Sequence, residues 1–261
     1  MQCEFFSVRA LLASFDLRGA GQLRFRSIFV TGTDTGVGKT TVSAGIAAAL
    51  RARALSVGVC KPVETGCRLG MGGRPVPEDA SILRFFSGCR SELTAICPYA
   101  LRQPLAPLLA AERERVDIDL ERLVHCYQGI AGAHDFTLVE GAGGLLVPIT
   151  DAATYADLAR RLAAPVLVVV GSRLGAINHA LLTIRYAESI GLLVLGYVVN
   201  FPRSENDEAA CSNVEVLTRL LGPPLGVVPF LGELSATELV RQRLADCFAT
   251  CLHLDDLLIP A

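Results

Sequence analysis

The chain has 261 residues, 51% of them apolar and 19% charged, with a formal net charge of −2. That balance excludes wholesale disorder and leaves no basic footprint for nucleic acid. The length suits one large α/β domain, and the longest apolar runs are strand-length, too short to cross a membrane.

Residues 1–26 carry Arg9, Arg18, Arg24 and Arg26 beside Glu4 and Asp16, without a sustained apolar stretch, so they make a poor secretory signal. We expect an N-terminal extension followed by one domain over residues 27–261 of a cytoplasmic protein. An organellar presequence and an upstream start codon are the other readings of this segment.

From Ser27 onward the pattern is regular. Apolar runs at 27–30, 55–60, 136–139, 165–170, 192–199 and 225–228 read as strands. Helical stretches at 40–54, 79–86, 105–115, 120–130, 154–162, 177–190 and 208–221 fall between them. Continuous apolar strands alternating with helices predict a doubly wound, mostly parallel sheet with helices on both faces. Residues 68–77, with Gly70, Gly72, Gly73, Pro75 and Pro77, are the most loop-like internal segment. The nine cysteines contain no Cys-x-x-Cys and the four histidines are dispersed, which reads as free thiols rather than a metal site.

Only two of the 24 basic residues are lysines, and both follow apolar runs in Gly/Thr-rich turns. Lys39 lies in Gly32-Thr33-Asp34-Thr35-Gly36-Val37-Gly38-Lys39-Thr40, and Lys61 in Lys61-Pro62-Val63-Glu64-Thr65-Gly66. An ammonium is a compact point charge that threads into a loop, whereas a guanidinium is a broad fork. Both positions are therefore candidate anion sites. The first motif joins a strand to a helix, the setting in which backbone N–H groups and a helix N-terminus cradle phosphate. Its first glycine sits one residue earlier than in Gly-x-x-x-x-Gly-Lys-Thr. Thr40 would offer its hydroxyl to Mg²⁺.

Three further motifs end strands. In Val139-Glu140-Gly141-Ala142-Gly143-Gly144 a carboxylate is followed by glycines, the place for a Mg²⁺-binding acid. Asp79 is a second candidate, and reads equally as the N-cap of the next helix. Asn200 can read a base edge through its amide or close a turn. A guanine-reading Asn-Lys-x-Asp is impossible without a third lysine, which favours ATP. Gly171-Ser172-Arg173-Leu174-Gly175-Ala176-Ile177-Asn178-His179 opens a helix, and alone it carries little.

Taken together, these motifs closely resemble the dethiobiotin synthetase family, in order, over residues 28–231. The resemblance implies a homodimeric P-loop α/β enzyme acting on 7,8-diaminopelargonic acid, CO₂ and MgATP. It puts the nucleotide on Thr35, Gly36, Val37, Gly38, Lys39, Thr40, Thr41, Glu140, Gly141, Gly143, Asn200 and Pro229. It gives catalytic roles to Lys39, Lys61 and Thr35, and Mg²⁺ to Thr40, Asp79 and Glu140. The diamine or its carbamate would meet Thr35, Lys61 and Thr65. Gly175, Ile177 and Asn178 would receive its distant carboxylate across the dimer interface. Residues 103–107 match the family loosely, and the stretch after Leu231 has no firm counterpart. Two competing readings are a partitioning-type switch ATPase and a cobyrinic-acid-type amidotransferase. The second needs a glutaminase domain for which this chain has no room.

Overall fold

A computed structural model of the chain describes residues 25–204 and 208–257; most of the expected 1–26 extension therefore lies outside the described residues. The six apolar runs form the central sheet. They are β1 (Ser27–Gly32), β2 (Val57–Cys60), β7 (Phe136–Gly144), β10 (Val166–Gly171), β11 (Val194–Asn200) and β12 (Gly226–Val228). Three short pairs accompany it: β3 (Val63–Glu64) with β6 (Tyr99–Ala100), β4 (Arg68–Leu69) with β5 (Pro75–Val76), and β8 (Pro148–Thr150) with β9 (Ala153–Thr154). The sheet order is β12-β11-β10-β1-β7-β2, and every neighbouring pair is parallel. All positions of β1, β2 and β10 are buried, as expected of strands covered on both faces.

The helices are α1 (Lys39–Ala52), α2 (Glu78–Ser87), α3 (Leu93–Ile96), α4 (Pro107–Glu114), α5 (Leu120–Gly132), α6 (Tyr155–Arg161), α7 (Ala176–Ser189), α8 (Glu208–Leu221) and α9 (Glu238–Cys251). Phe29, Phe86, Phe136, Tyr155 and Phe248 are fully buried in the core between these layers. Each such side chain contributes roughly 1.5–3 kcal/mol on leaving water. The stretch after Leu231 is part of this core. It supplies α9, which packs on α1 with the Phe248 ring against Gly45.

Two expectations are corrected. The loop-like segment 68–77 is a two-residue antiparallel hairpin, Arg68 opposite Val76, closed by Gly70 N–H on Arg74 O at 2.9 Å. Asp79 is not the N-cap of α2: Pro77 holds that position and Asp79 lies in the first turn. What matters for function is the register. Gly32 is level with Gly144 and Val169, and Asn200 with Gly171 and Val228, so the strand carboxyl ends open on one edge of the sheet.

Candidate active site

At that edge a cleft of 860 Å³ runs between the loop after β1, the turn after β2, and the ends of β7 and β11. Gly36 and Gly38 have φ of 73° and 92°, left-handed backbone that glycine adopts without a Cβ penalty. Gly38 is the N-cap of α1, and among the described residues no side chain caps that helix, which suits an anion at its N-terminus. Lys39 is buried, and its Nζ donates to the backbone carbonyl of Asp34 at 3.1 Å. The Asp34 carboxylate is ion-paired with Arg173. Asn200, buried at the end of β11, donates one amide hydrogen to Val37 O at 2.8 Å and so buttresses the loop from behind.

Beside the loop lies a buried charge cluster. Lys61 Nζ donates to Glu140 Oε1 at 2.6 Å and to Asp79 Oδ2 at 2.9 Å, and Thr40 Oγ1 donates to the same Glu140 oxygen at 2.9 Å. Lys61 is 3% exposed and Glu140 0%. Burial pulls the Lys61 pKa down, but the adjacent Glu140 and Asp79 charges outweigh it and push it well above the usual lysine value. The two carboxylates thus favour the protonated form of Lys61. Burial raises the Asp79 carboxyl, and the Lys61 charge more than reverses that, leaving it below the usual range.

Lys39 behaves differently. Burial and then the like charge of Lys61 lower it to about 8, and Glu140, Asp79 and Asp34 only partly oppose them. As the pH rises through that value the free protein loses the proton of Lys39. Accordingly kcat/KM for ATP is expected to fall above about pH 8, with a single ionisation. A flat profile to pH 10, measured at saturating second substrate, would contradict it.

Glu64 was not expected at the site. Its two carboxylate oxygens accept the N–H groups of Asp79 and Ala80 at 2.9 and 3.0 Å, capping α2 from β3 and so fixing where Asp79 stands. Burial, then the Asp79 charge, push Glu64 up to about 7 from its ordinary 4.5, against those two hydrogen bonds. A raised carboxyl pKa stabilises the fold fully below the unfolded value and loses that contribution as pH rises through the folded one. Unfolding free energy is therefore expected to drop between about pH 4.5 and pH 7, and Glu64→Gln to flatten that slope. Chemical denaturation across this range checks it; an unchanged slope in the variant would count against it.

Most of the sequence-predicted residues meet here. Thr35, Gly36, Gly38, Lys39, Thr40 and Thr41 line the cleft from the loop side, while Lys61, Thr65, Asp79, Gly143 and Asn200 face them. Val37 contributes its carbonyl from a buried position. Gly141 lies behind the wall against Phe29 and Tyr155, and Pro229 is exposed next to the lining residue Phe230. Gly175, Ile177 and Asn178, at the start of α7, are not part of this cleft. Phe201, Pro202 and Leu231 are apolar walls that sequence reasoning missed, because nothing in their spacing sets them apart from ordinary loop residues.

The oxygens gathered around Lys61 form a donor set suited to Mg²⁺. Glu140 Oε2 is buried and, among the described residues, has no hydrogen-bond partner. With Asp79 and the Thr40 hydroxyl it makes a hard, all-oxygen set that leaves room for water and phosphate ligands, which is how Mg²⁺ is usually bound. The residues fit the ion.

A strand–loop–helix phosphate cradle with an adjoining Lys–carboxylate cluster, at the carboxyl edge of a parallel sheet, defines a P-loop nucleotide-dependent enzyme. The AAA-domain family model matches residues 26–238. The ATP-dependent dethiobiotin synthetase BioD of Anaeromyxobacter sp. (strain K) is 44% identical over 206 residues, 78% of this chain and 90% of that protein. The enzyme of the same name from Bacillus subtilis (strain 168) is 38% identical over 219 residues, 83% and 93% of the two chains. The chain belongs to the dethiobiotin synthetase family. Among solved structures, the MinC:MinD cell division complex of Aquifex aeolicus aligns with a TM-score of 0.49 at 17% identity, over 89% of this chain and 94% of that one.

Proposed function

We propose that the cleft carries out ATP-dependent carboxylation and ring closure of 7,8-diaminopelargonic acid to dethiobiotin. One amine takes up CO₂ as a carbamate. A carbamate oxygen attacks the γ-phosphorus of ATP and ADP leaves. The second amine attacks the mixed anhydride, phosphate departs, and the cyclic urea closes.

The observation that carries this reading is the pairing of two buried lysines across one cleft, Lys39 on the phosphate loop and Lys61 opposite. Carbamate and γ-phosphate are both anionic, and their approach needs fixed positive charge from a site that is already organised. Lys61, held protonated by Glu140 and Asp79, supplies it on the carbamate side, with Thr65 beside it in the same turn. Lys39 and the N-terminal backbone of α1 supply it on the phosphate side. Thr40, Asp79 and Glu140 would hold Mg²⁺, which when bound offsets charge on the β- and γ-phosphates. Asn200 steadies the loop, and with Phe201 and Pro202 it bounds the adenine end. Incubation with ¹³C-bicarbonate tests the reaction: the label is expected in a cyclic urea product. Label recovered only as bicarbonate would reject it.

We further propose a dimer in which Gly175, Ile177 and Asn178 of a second copy complete the substrate site. Two features support it: these residues stand outside their own cleft, and the neighbouring Leu174 and Leu182 are 81% and 63% exposed. Light scattering is expected to give twice the chain mass. A monomer at micromolar concentration would reject it.

A further inference from the structure

A second basic cavity lies at the far end of the same helices. It has a volume of 570 Å³ and is lined by Arg51, Arg90, His134 and the hydroxyl-bearing Ser56, Ser87 and Ser91. It meets a 430 Å³ hollow at Gly88, which brings in Arg84 and Arg241. Among the described residues no acidic one lines either cavity. Three acids of the neighbouring segments are engaged elsewhere: Asp255 with Arg53, Glu238 with Arg241, and Asp135 with the Ser56 N–H. Among the described residues, Arg51, Arg84 and Arg90 form no ion pair or side-chain hydrogen bond.

The arginines are held close together. The Arg51 guanidinium occupies the space a Cβ on Gly88 would fill, with one nitrogen 2.2 Å from that position. Arg241 is 5.0 Å from the Phe85 ring centre and donates to Phe85 O at 3.1 Å. Burial, and then the charge of Arg51, hold the Arg241 pKa below its ordinary value. Of these arginines only Arg241 has a carboxylate partner among the described residues; gathering the other like charges around it is unfavourable, and a multivalent anion relieves it. Guanidinium forks flanked by hydroxyls match the several oxygens of a phosphoryl group. The cavity volume is that of a small-molecule site.

We propose that this cavity binds a small phosphate-bearing metabolite at a site separate from the catalytic cleft. Its place in the fold links it to catalysis. α1 begins at Lys39 and ends beside Arg51, about 20 Å along its axis. α2 begins next to Asp79 and ends at Ser87 and Gly88. β2 runs from Val57, in the cavity wall, to Cys60, which precedes Lys61. An anion held here clamps the far ends of the elements that carry Lys39, Asp79 and Lys61.

The test uses pyrophosphate as probe at low ionic strength, with calorimetry on the full chain. Lys39→Ala cripples the competing phosphate loop and is expected to leave the distal binding intact. Adding Arg51→Ala and Arg90→Ala to it is expected to weaken the remaining binding about tenfold or more, the worth of one charge-assisted hydrogen bond. In the Lys39→Ala protein, pyrophosphate is also expected to slow amide exchange in residues 48–52 and 84–91. Binding that disappears with Lys39→Ala alone overturns the proposal, as does binding indifferent to the two arginine changes; the arginines would then serve only to complement the carboxyl ends of α1 and α2.

Discussion

Replacing Lys61 by alanine is expected to lower kcat by about 10²–10³ and to cost about 3–5 kcal/mol of stability, because Glu140, fully buried, is left with no cation beside it. Lys61→Arg is expected to do as badly in kcat. Lys61 is 3% exposed, and its one nitrogen bridges two carboxylates at 2.6 and 2.9 Å. A guanidinium brings a wide planar fork where the site is shaped around a single compact ammonium. A partner substitution separates folding from chemistry. Lys61→Met with Glu140→Gln removes both charges of the pair, so much of the lost stability should return while turnover stays low. Denaturation midpoints and steady-state rates on the same four proteins decide it, and near-normal turnover by Lys61→Arg would refute the point-charge argument.

The second large effect is expected at Gly38. A Cβ there would lie 2.1 Å from Asn200 Nδ2, and φ is +92°. Left-handed backbone costs an alanine roughly 1–2 kcal/mol, and the clash with a buried amide adds to that. The loop must shift, and a misplacement of about 1 Å in a catalytic array can cost on the order of 10²-fold. Gly38→Ala is therefore expected to weaken ATP binding and turnover by about that factor. Asn200→Ala in the same chain removes the obstruction and should recover part of the ATP affinity. Fluorescent-nucleotide titration reads both; wild-type affinity in the single variant would mean that Asn200 does not wall the loop.

Much of this architecture is legible in the sequence for a simple reason. The central strands are buried on both faces, so their composition alone marks them. The boundaries differ slightly where local backbone intervenes: β2 starts at Val57 rather than at 55, because Ala54 takes a φ of 65° and the chain is still returning from α1. The phosphate loop and Lys61 are visible because their chemistry restricts residue type. Glu64 is not, because its role depends on a turn of β3 meeting the start of α2, 15 residues later in the chain. The same contact makes the N-cap reading of Asp79 fail. The two-residue strands β4 and β5 are too short to show any period, and α9 earns its place through Phe248 seated on Gly45, a contact between distant segments.

The reading of the cleft as a diamine-carboxylating site stands most directly on phosphate release from MgATP in the presence of bicarbonate, measured with and without 7,8-diaminopelargonic acid. Release that requires the diamine, matched one for one by dethiobiotin, is the expected result. Steady release indifferent to the diamine would contradict it and point instead to a switch ATPase built on the same phosphate loop.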